Sequence, residues 1–257
     1  MHNLVHLATR IWVQREVGTA TTIENAIRHL VAIFPSDDHA NREQWRTYLP
    51  HAFKMLQQKE EVDIEKSSLY YRVGRCLRVD GRIREAVGHL QEACRWRNSH
   101  LAETHPSRLA SQHVLAIAYQ ANRQVKKAVK LLERVVAIQA ETLAEDHPSR
   151  LASQHVLAGA YRADGQVKKA VELLERVVAI QAETLAEDHP SRLASQHVLA
   201  GAYQADGQVK KAVELLERVV AIQAETLAED HPDRLASQHA LTCILQMSDS
   251  VGSSNAD

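Results

Sequence analysis

The sequence has 257 residues and nearly balanced charge, with 31 lysines and arginines against 32 aspartates and glutamates. That balance provides no overall attraction to nucleic acid or to an anionic membrane surface, so neither is expected as a partner. Three isolated cysteines (Cys76, Cys94 and Cys243) argue against a disulfide or zinc framework and for a reducing compartment. There is no apolar run long enough for a membrane span and no signal-peptide pattern, and the sequence therefore predicts a cytoplasmic protein.

The first predicted domain, residues 1–62, lies outside the repeats that fill most of the chain. Its apolar residues form three stripes at helical spacing, which predict a helical block. Thr21 and Thr22 are candidate N-caps of the second helix. The three stripes run from Leu4 to Trp12, from Ile23 to Ile33 and from Trp45 to Leu56.

The second predicted domain, residues 63–247, is an array of units with a period of 42 residues. Two consecutive units differ at one position, where Arg162 is replaced by Gln204. A fixed period of this length is typical of solenoids, in which each unit buries its apolar face against its neighbours. The predicted units are a diverged one at 63–104 and regular ones at 105–146, 147–188 and 189–230, followed by a capping helix at 231–247.

Each regular unit carries apolar residues at i, i+3, i+4 and i+7 spacings, which predict two amphipathic helices. Pro148 suits the first turn of a helix, and Gly165 suits the left-handed conformation that ends one. Residues 248–257, rich in serine and acid, are predicted to be disordered. The predicted fold is therefore all-α, a right-handed superhelical solenoid of helix-turn-helix units behind an N-terminal helical block.

The segment Leu157-Ala158-x-x-Tyr161, followed by Ala170-x-x-x-Leu174, resembles the tetratricopeptide repeat, whose pattern is W-x-x-L-G-x-x-Y and then A-x-x-x-F. Gln154 replaces the tryptophan, Ala158 replaces the glycine, and the period exceeds the usual length of about 34 residues. The longer period and the histidine-proline opening of each unit resemble the repeat of kinesin light chains. The resemblance implies a protein-binding scaffold.

The opening Met1-His2-Asn3 resembles the methionine-histidine-aspartate motif of NOD-like receptors. The stretches ATRIWVQ, AIFPSDD and RTYLPHAFKML resemble the connecting region of fungal members that end in tetratricopeptide arrays. This resemblance implies an upstream nucleotide-binding domain in a longer polypeptide, and a position near the nucleotide phosphate for His2. Because the sequence has no phosphate-binding loop, the alternative that His2 is an uninvolved terminal residue stays open.

In tetratricopeptide superhelices the first helix of each unit lines the concave groove, so the resemblance implies ligand binding there. Two of the few differences between copies fall on this face, as expected of a recognition surface, although chance explains so few differences equally well. The candidate groove residues are His113, Ile117 and Gln120, then His155, Gly159 and Arg162, then His197, Gly201 and Gln204, and finally His239.

The histidines at one position per unit, such as His155, suit hydrogen bonding to a peptide backbone, but duplication of an inert residue explains them as well. Metal binding is not expected, because successive units lie roughly 10 Å apart, too far for shared ligation. The histidines that precede proline, such as His147, are predicted to shape the loop. No catalytic or nucleotide-binding motif is present, so neither an enzyme nor a cofactor is expected.

These observations predict an interaction scaffold that binds a peptide or protein, with no nucleic-acid or membrane partner. The favoured reading is the sensor end of a fungal NOD-like receptor, and the alternative is a kinesin light-chain-like cargo adaptor.

Overall fold

A computed structural model describes residues 19–58 and 61–253; the stripe predicted at Leu4 to Trp12 lies outside them. The described residues form eleven α-helices and one short 3-10 helix, without a strand, which confirms the all-α prediction. No helix among them is both long and apolar enough to cross a membrane. The chain divides into two compact units, Met1–Gln124 and Val125–Asp257, so the boundary falls inside the first regular repeat.

The N-terminal block of the first unit contains two of the predicted helices, α1 (Thr19–Ile33) and α2 (Arg42–Leu56), with the 3-10 helix His39–Asn41 between them. Helix α1 is already helical at Thr19, so the prediction that Thr21 and Thr22 cap it was wrong. The reason is local, because the residue before Thr21 is alanine, the strongest helix former.

The rest of the first unit consists of α3 (Ile64–Val79), α4 (Ile83–His100) and α5 (Pro106–Ala121). The block packs on this part of the chain through one hydrophobic core, which includes the fully buried Trp45. Cys76 is buried here, and burial raises the pKa of its thiol to about 12. A thiol with that pKa is protonated at neutral pH and unreactive.

The second compact unit, Val125–Asp257, contains the same arrangement of two helices several times. Its core is built from small residues where helices cross, such as Ala158 and Ala170, and from Leu174 between them, all fully buried. These are the positions that carry the tetratricopeptide pattern. The helices are α6 (Val125–Thr142), α7 (Pro148–Ala163), α8 (Val167–Thr184), α9 (Pro190–Ala205), α10 (Val209–Thr226) and α11 (Pro232–Ser253).

Helix α11 extends beyond the predicted capping segment. It continues to Ser253, while residues 254–257 lie outside the described residues, and the disorder predicted for 248–257 stays a prediction. Between Pro232 and Gly252 the sequence has neither a proline nor a glycine to end the helix.

The turn between the helices of a pair requires a left-handed residue. Gly165 has φ +78°. Its backbone N–H donates to the carbonyl of Arg162, and the N–H of the next residue donates to the carbonyl of Tyr161, which closes the turn. In the first regular repeat Arg123 holds this position with φ +58°. A side chain in this conformation costs roughly 1–2 kcal/mol, so the sequence change to arginine leaves a strained turn.

The segment that opens each regular unit fastens two helices at once. His147 caps α7, since its Nδ1 accepts the backbone N–H of Ser149 at 3.1 Å. Arg150 then donates from Nη1 to the carbonyl of Leu143 at the end of α6, at 2.9 Å. Histidines that precede proline therefore shape the loop, as predicted.

The other series of histidines, one per repeat, connects the first helix of one repeat to the first helix of the next within the second compact unit. His155 Nδ1 lies 3.2 Å from the hydroxyl of Ser195, and His197 Nδ1 lies 3.1 Å from that of Ser237. Both serines are buried. Burial lowers the pKa of both imidazoles below the ordinary value of 6.5, so the folded chain favours their neutral form.

Replacing Arg123 with glycine is expected to stabilise the protein by about 1 kcal/mol, because glycine adopts a positive φ without steric cost. The urea midpoint of unfolding measures the effect. Gly165→Arg is the matched control and should lower the midpoint; equal midpoints for Arg123→Gly and the unchanged protein would contradict the strained turn.

Stability is expected to fall as the pH is lowered below 6.5. Above that value both histidines are neutral in either state, whereas below it the unfolded chain takes up protons first, until the lower folded pKa values are reached. Urea midpoints measured between pH 7.5 and 5 test this. The double change His155→Gln and His197→Gln should weaken the dependence, to which His89 also contributes because burial lowers its pKa, while His239→Gln, at an exposed position, should leave it intact.

Candidate ligand-binding face of the first helices

The predicted groove residues of α7 lie on one helix face, because residues at i, i+4 and i+7 are neighbours there. His155 and Gly159 are half-buried, and Arg162 is exposed, whereas Leu157 and Ala158 beside them are in the core. The face is thus distinct from the apolar core side of the helix, and His155 also contacts α9 through Ser195. Helix α9 repeats it with His197, Gly201 and Gln204.

Arg162 brings the faces of α7 and α9 together. Its guanidinium covers Gly201, where a Cβ would lie 2.3 Å from Arg162 Nη1. A side chain at position 201 would therefore displace the guanidinium of Arg162 from this position. The charge of Arg162 also adds to burial in lowering the pKa of His197. Three predicted residues, Arg162, His197 and Gly201, hence form one cluster.

Two equivalent cavities open beside the histidines. The first, about 560 Å³, lies between the beginnings of α7 and α9 and the end of α8. The second, about 600 Å³, lies in the same way between α9, α11 and the end of α10. His155 lines both, and His197 lines the second. Their size is that of small-ligand sites. Apolar residues provide much of each wall, among them Leu151, Ala152 and Val156 in the first and Leu193, Ala194 and Val198 in the second.

A buried glutamine in the wall of each cavity was missed from the sequence. Gln181 and Gln223 are each 4% exposed, and their Oε1 atoms have no hydrogen-bond partner among the described residues. Such an unpaired carbonyl costs free energy unless a donor reaches it. The available signal was a polar residue repeated within the apolar stripe of the second helix.

The remaining candidates are not part of this cluster. His239 on α11 is exposed and lies 3.7 Å from the thiol of Cys243 through its Nε2. His113, Ile117 and Gln120 are half-buried on α5, in the other compact unit. Within the described residues, no group of three or more histidines, cysteines or carboxylates is placed to hold a metal ion.

Solved structures of similar fold include a relative of high identity. A putative kinesin light chain from Podospora anserina with nearly identical TPR-like repeats is 61% identical, with a TM-score of 0.62 over 70% of this chain and 86% of that one. BtubC from P. vanneervenii is 17% identical, with a TM-score of 0.61 over 89% of each chain, and shares the fold alone.

A curated relative, a nucleotide-binding leucine-rich repeat (NLR)-like protein from Hyaloscypha variabilis, is 30% identical over 116 residues. The match covers 44% of this chain but only 12% of that much longer protein.

The tetratricopeptide repeat family model matches in four overlapping stretches that together cover most of the chain. They span residues 65–141, 115–183, 149–225 and 191–250. The matched residues contain the helix pairs, the glycine turns and the buried alanine and leucine positions described above. The chain belongs to the tetratricopeptide repeat family.

Proposed function

We propose that the chain is a non-enzymatic scaffold in the cytoplasm that binds a peptide or protein on the face formed by α7 and α9. The observation that carries this proposal is the cluster of Arg162, His197 and Gly201, together with two equivalent cavities, the second of which His197 lines. An exposed guanidinium outside the core is available to a ligand carboxylate or carbonyl.

A peptide fits the chemistry of this face better than a compact metabolite does. The cavities repeat at the spacing of the units, so an extended ligand can place successive side chains in them. The walls are largely apolar, with Leu151 and Val156 in the first cavity and Leu193 and Val198 in the second, which suits the side chains of a peptide.

In its biological setting, we place the scaffold at the sensor end of a fungal NOD-like receptor. The NLR-like relative supports this placement, since the match covers a small part of a much longer protein. On this reading a nucleotide-binding domain precedes the array in a longer polypeptide. A kinesin light-chain-like cargo adaptor is the second candidate, supported by the identity to the putative kinesin light chain.

Arg162→Gln tests the ligand-binding face, because it gives α7 the residue that α9 carries at Gln204. Peptides selected from a random displayed library on the unchanged protein are expected to bind this variant about tenfold more weakly, the loss of one charge-assisted hydrogen bond. Fluorescence anisotropy measures the affinities. Arg176→Gln, at an exposed position on α8, removes the same charge and should bind normally; equal affinities for both variants would contradict the proposal.

The mass of the endogenous polypeptide distinguishes the two settings. Blotting of cell extract with an antibody to the repeat is expected to detect a band several times larger than the 28.8 kDa of this chain. A band near 28.8 kDa would reject the receptor and leave a separate adaptor.

A further inference from the structure

The first compact unit contains a basic cavity that lies outside α7 and α9. Its volume is about 280 Å³, and it is lined by α3, the end of α4 and the loop after α1. Among the described residues that line it, three are arginines and one, Asp37, is acidic. The arginines are Arg72, Arg75 and Arg97.

The deepest of these arginines is held in a fixed position. Arg97 is 7% exposed and donates from Nη1 to the backbone carbonyl of Ser107 at 3.0 Å. Its guanidinium lies 4.5 Å from the ring centroid of Tyr71, and that of Arg75 lies 5.5 Å from the same ring. Tyr71 thus holds two cations at the cavity, and a charged group buried in this way requires compensation by an anion or by hydrogen bonds.

The compensation within the described contacts is incomplete. Arg75 forms an ion pair with Asp37, whose other oxygen lies 3.7 Å from Arg78. Arg72 donates to the carbonyl of Phe34 at 3.2 Å. One carboxylate therefore pairs with two guanidiniums, those of Arg75 and Arg78, while Arg72 and Arg97 are matched by neutral carbonyls. The cavity retains an excess of positive charge.

The repeat register shows that this basic character is particular to the diverged unit. Counted back by two periods of 42 residues, Tyr71 corresponds to His155 and Arg97 to Gln181. Arg72 corresponds in the same way to Val156. Positions that carry histidine, valine and glutamine in the cavity beside α7 therefore carry tyrosine and arginine beside α3.

We propose that this cavity binds an oxyanion of the phosphate monoester type, held by Arg72, Arg75 and Arg97. Guanidinium groups match the geometry of phosphate oxygens through paired N–H donors. The volume lies just below the range of about 300–1,000 Å³ found for drug-sized ligands, so it suits a compact group. The site does not depend on peptide binding by α7 and α9.

Isothermal titration calorimetry of the full chain at fixed ionic strength tests the site, with inorganic phosphate, O-phosphoserine and acetate as probes. Phosphate is expected to bind saturably at one site and more tightly than acetate. Arg75→Gln should weaken it at least tenfold. Asp37→Asn should strengthen it, because the competing carboxylate is removed.

Arg95→Gln on α4 is the matched control, since it removes one exposed arginine that pairs with Glu92 away from the cavity. It should bind phosphate normally. Tighter binding of O-phosphoserine than of phosphate would identify a phosphorylated protein as the source of the group, and the reverse would identify free phosphate.

Three results would overturn the site: no saturable binding, equal weakening by Arg75→Gln and Arg95→Gln, or tighter binding of acetate than of phosphate. If Arg75→Gln does not fold, two other variants test the site. Arg72→Gln should weaken phosphate binding, and Asp37→Asn should strengthen it.

Discussion

The hydrogen bonds from arginine to the end of the preceding helix are the interaction on which the regular junctions depend. The last carbonyls of a helix have no partner within it and need one from elsewhere. Arg150 supplies it for α6 and Arg192 for α8, each with a bond of 2.9 Å to a leucine carbonyl. His147 and His189 lie three residues before these arginines, and each caps the helix that contains the arginine. The end of one repeat and the start of the next are therefore fixed together.

The sequence predicted the helices well because their limits are encoded locally. Pro148 and Gly165 mark the beginning and end of α7, and the apolar spacing identifies its buried side. Contacts between units were not predictable in this way. The bond between His155 and Ser195 joins residues forty positions apart, and whether that histidine faces a ligand or a neighbouring helix depends on side-chain placement. The candidate face was therefore predicted by position, whereas the cavities and the unpaired glutamine carbonyls were not.

The diverged unit and the regular units use the same register for different chemistry. The cavities beside α7 and α9 are lined mainly by apolar and neutral polar residues with a few carboxylates, and burial lowers the pKa of His155 and His197. Around α3 the N-terminal block supplies a new wall, including Asp37, and the equivalent positions are basic. That cavity was not predictable from the repeat pattern, because its second wall comes from outside the repeat. Divergence has changed electrostatic character while keeping the helix pair.

The near identity of successive units also bears on how the chain reaches its fold. The core residues of 147–188 and 189–230 are the same, so the first helix of one unit and the second helix of the other are complementary surfaces. Pairing that skips a unit lengthens the intervening loop, and each doubling of a loop costs only about 0.6 kcal/mol. Mispaired helices are consequently close competitors of the native helix pairs during folding.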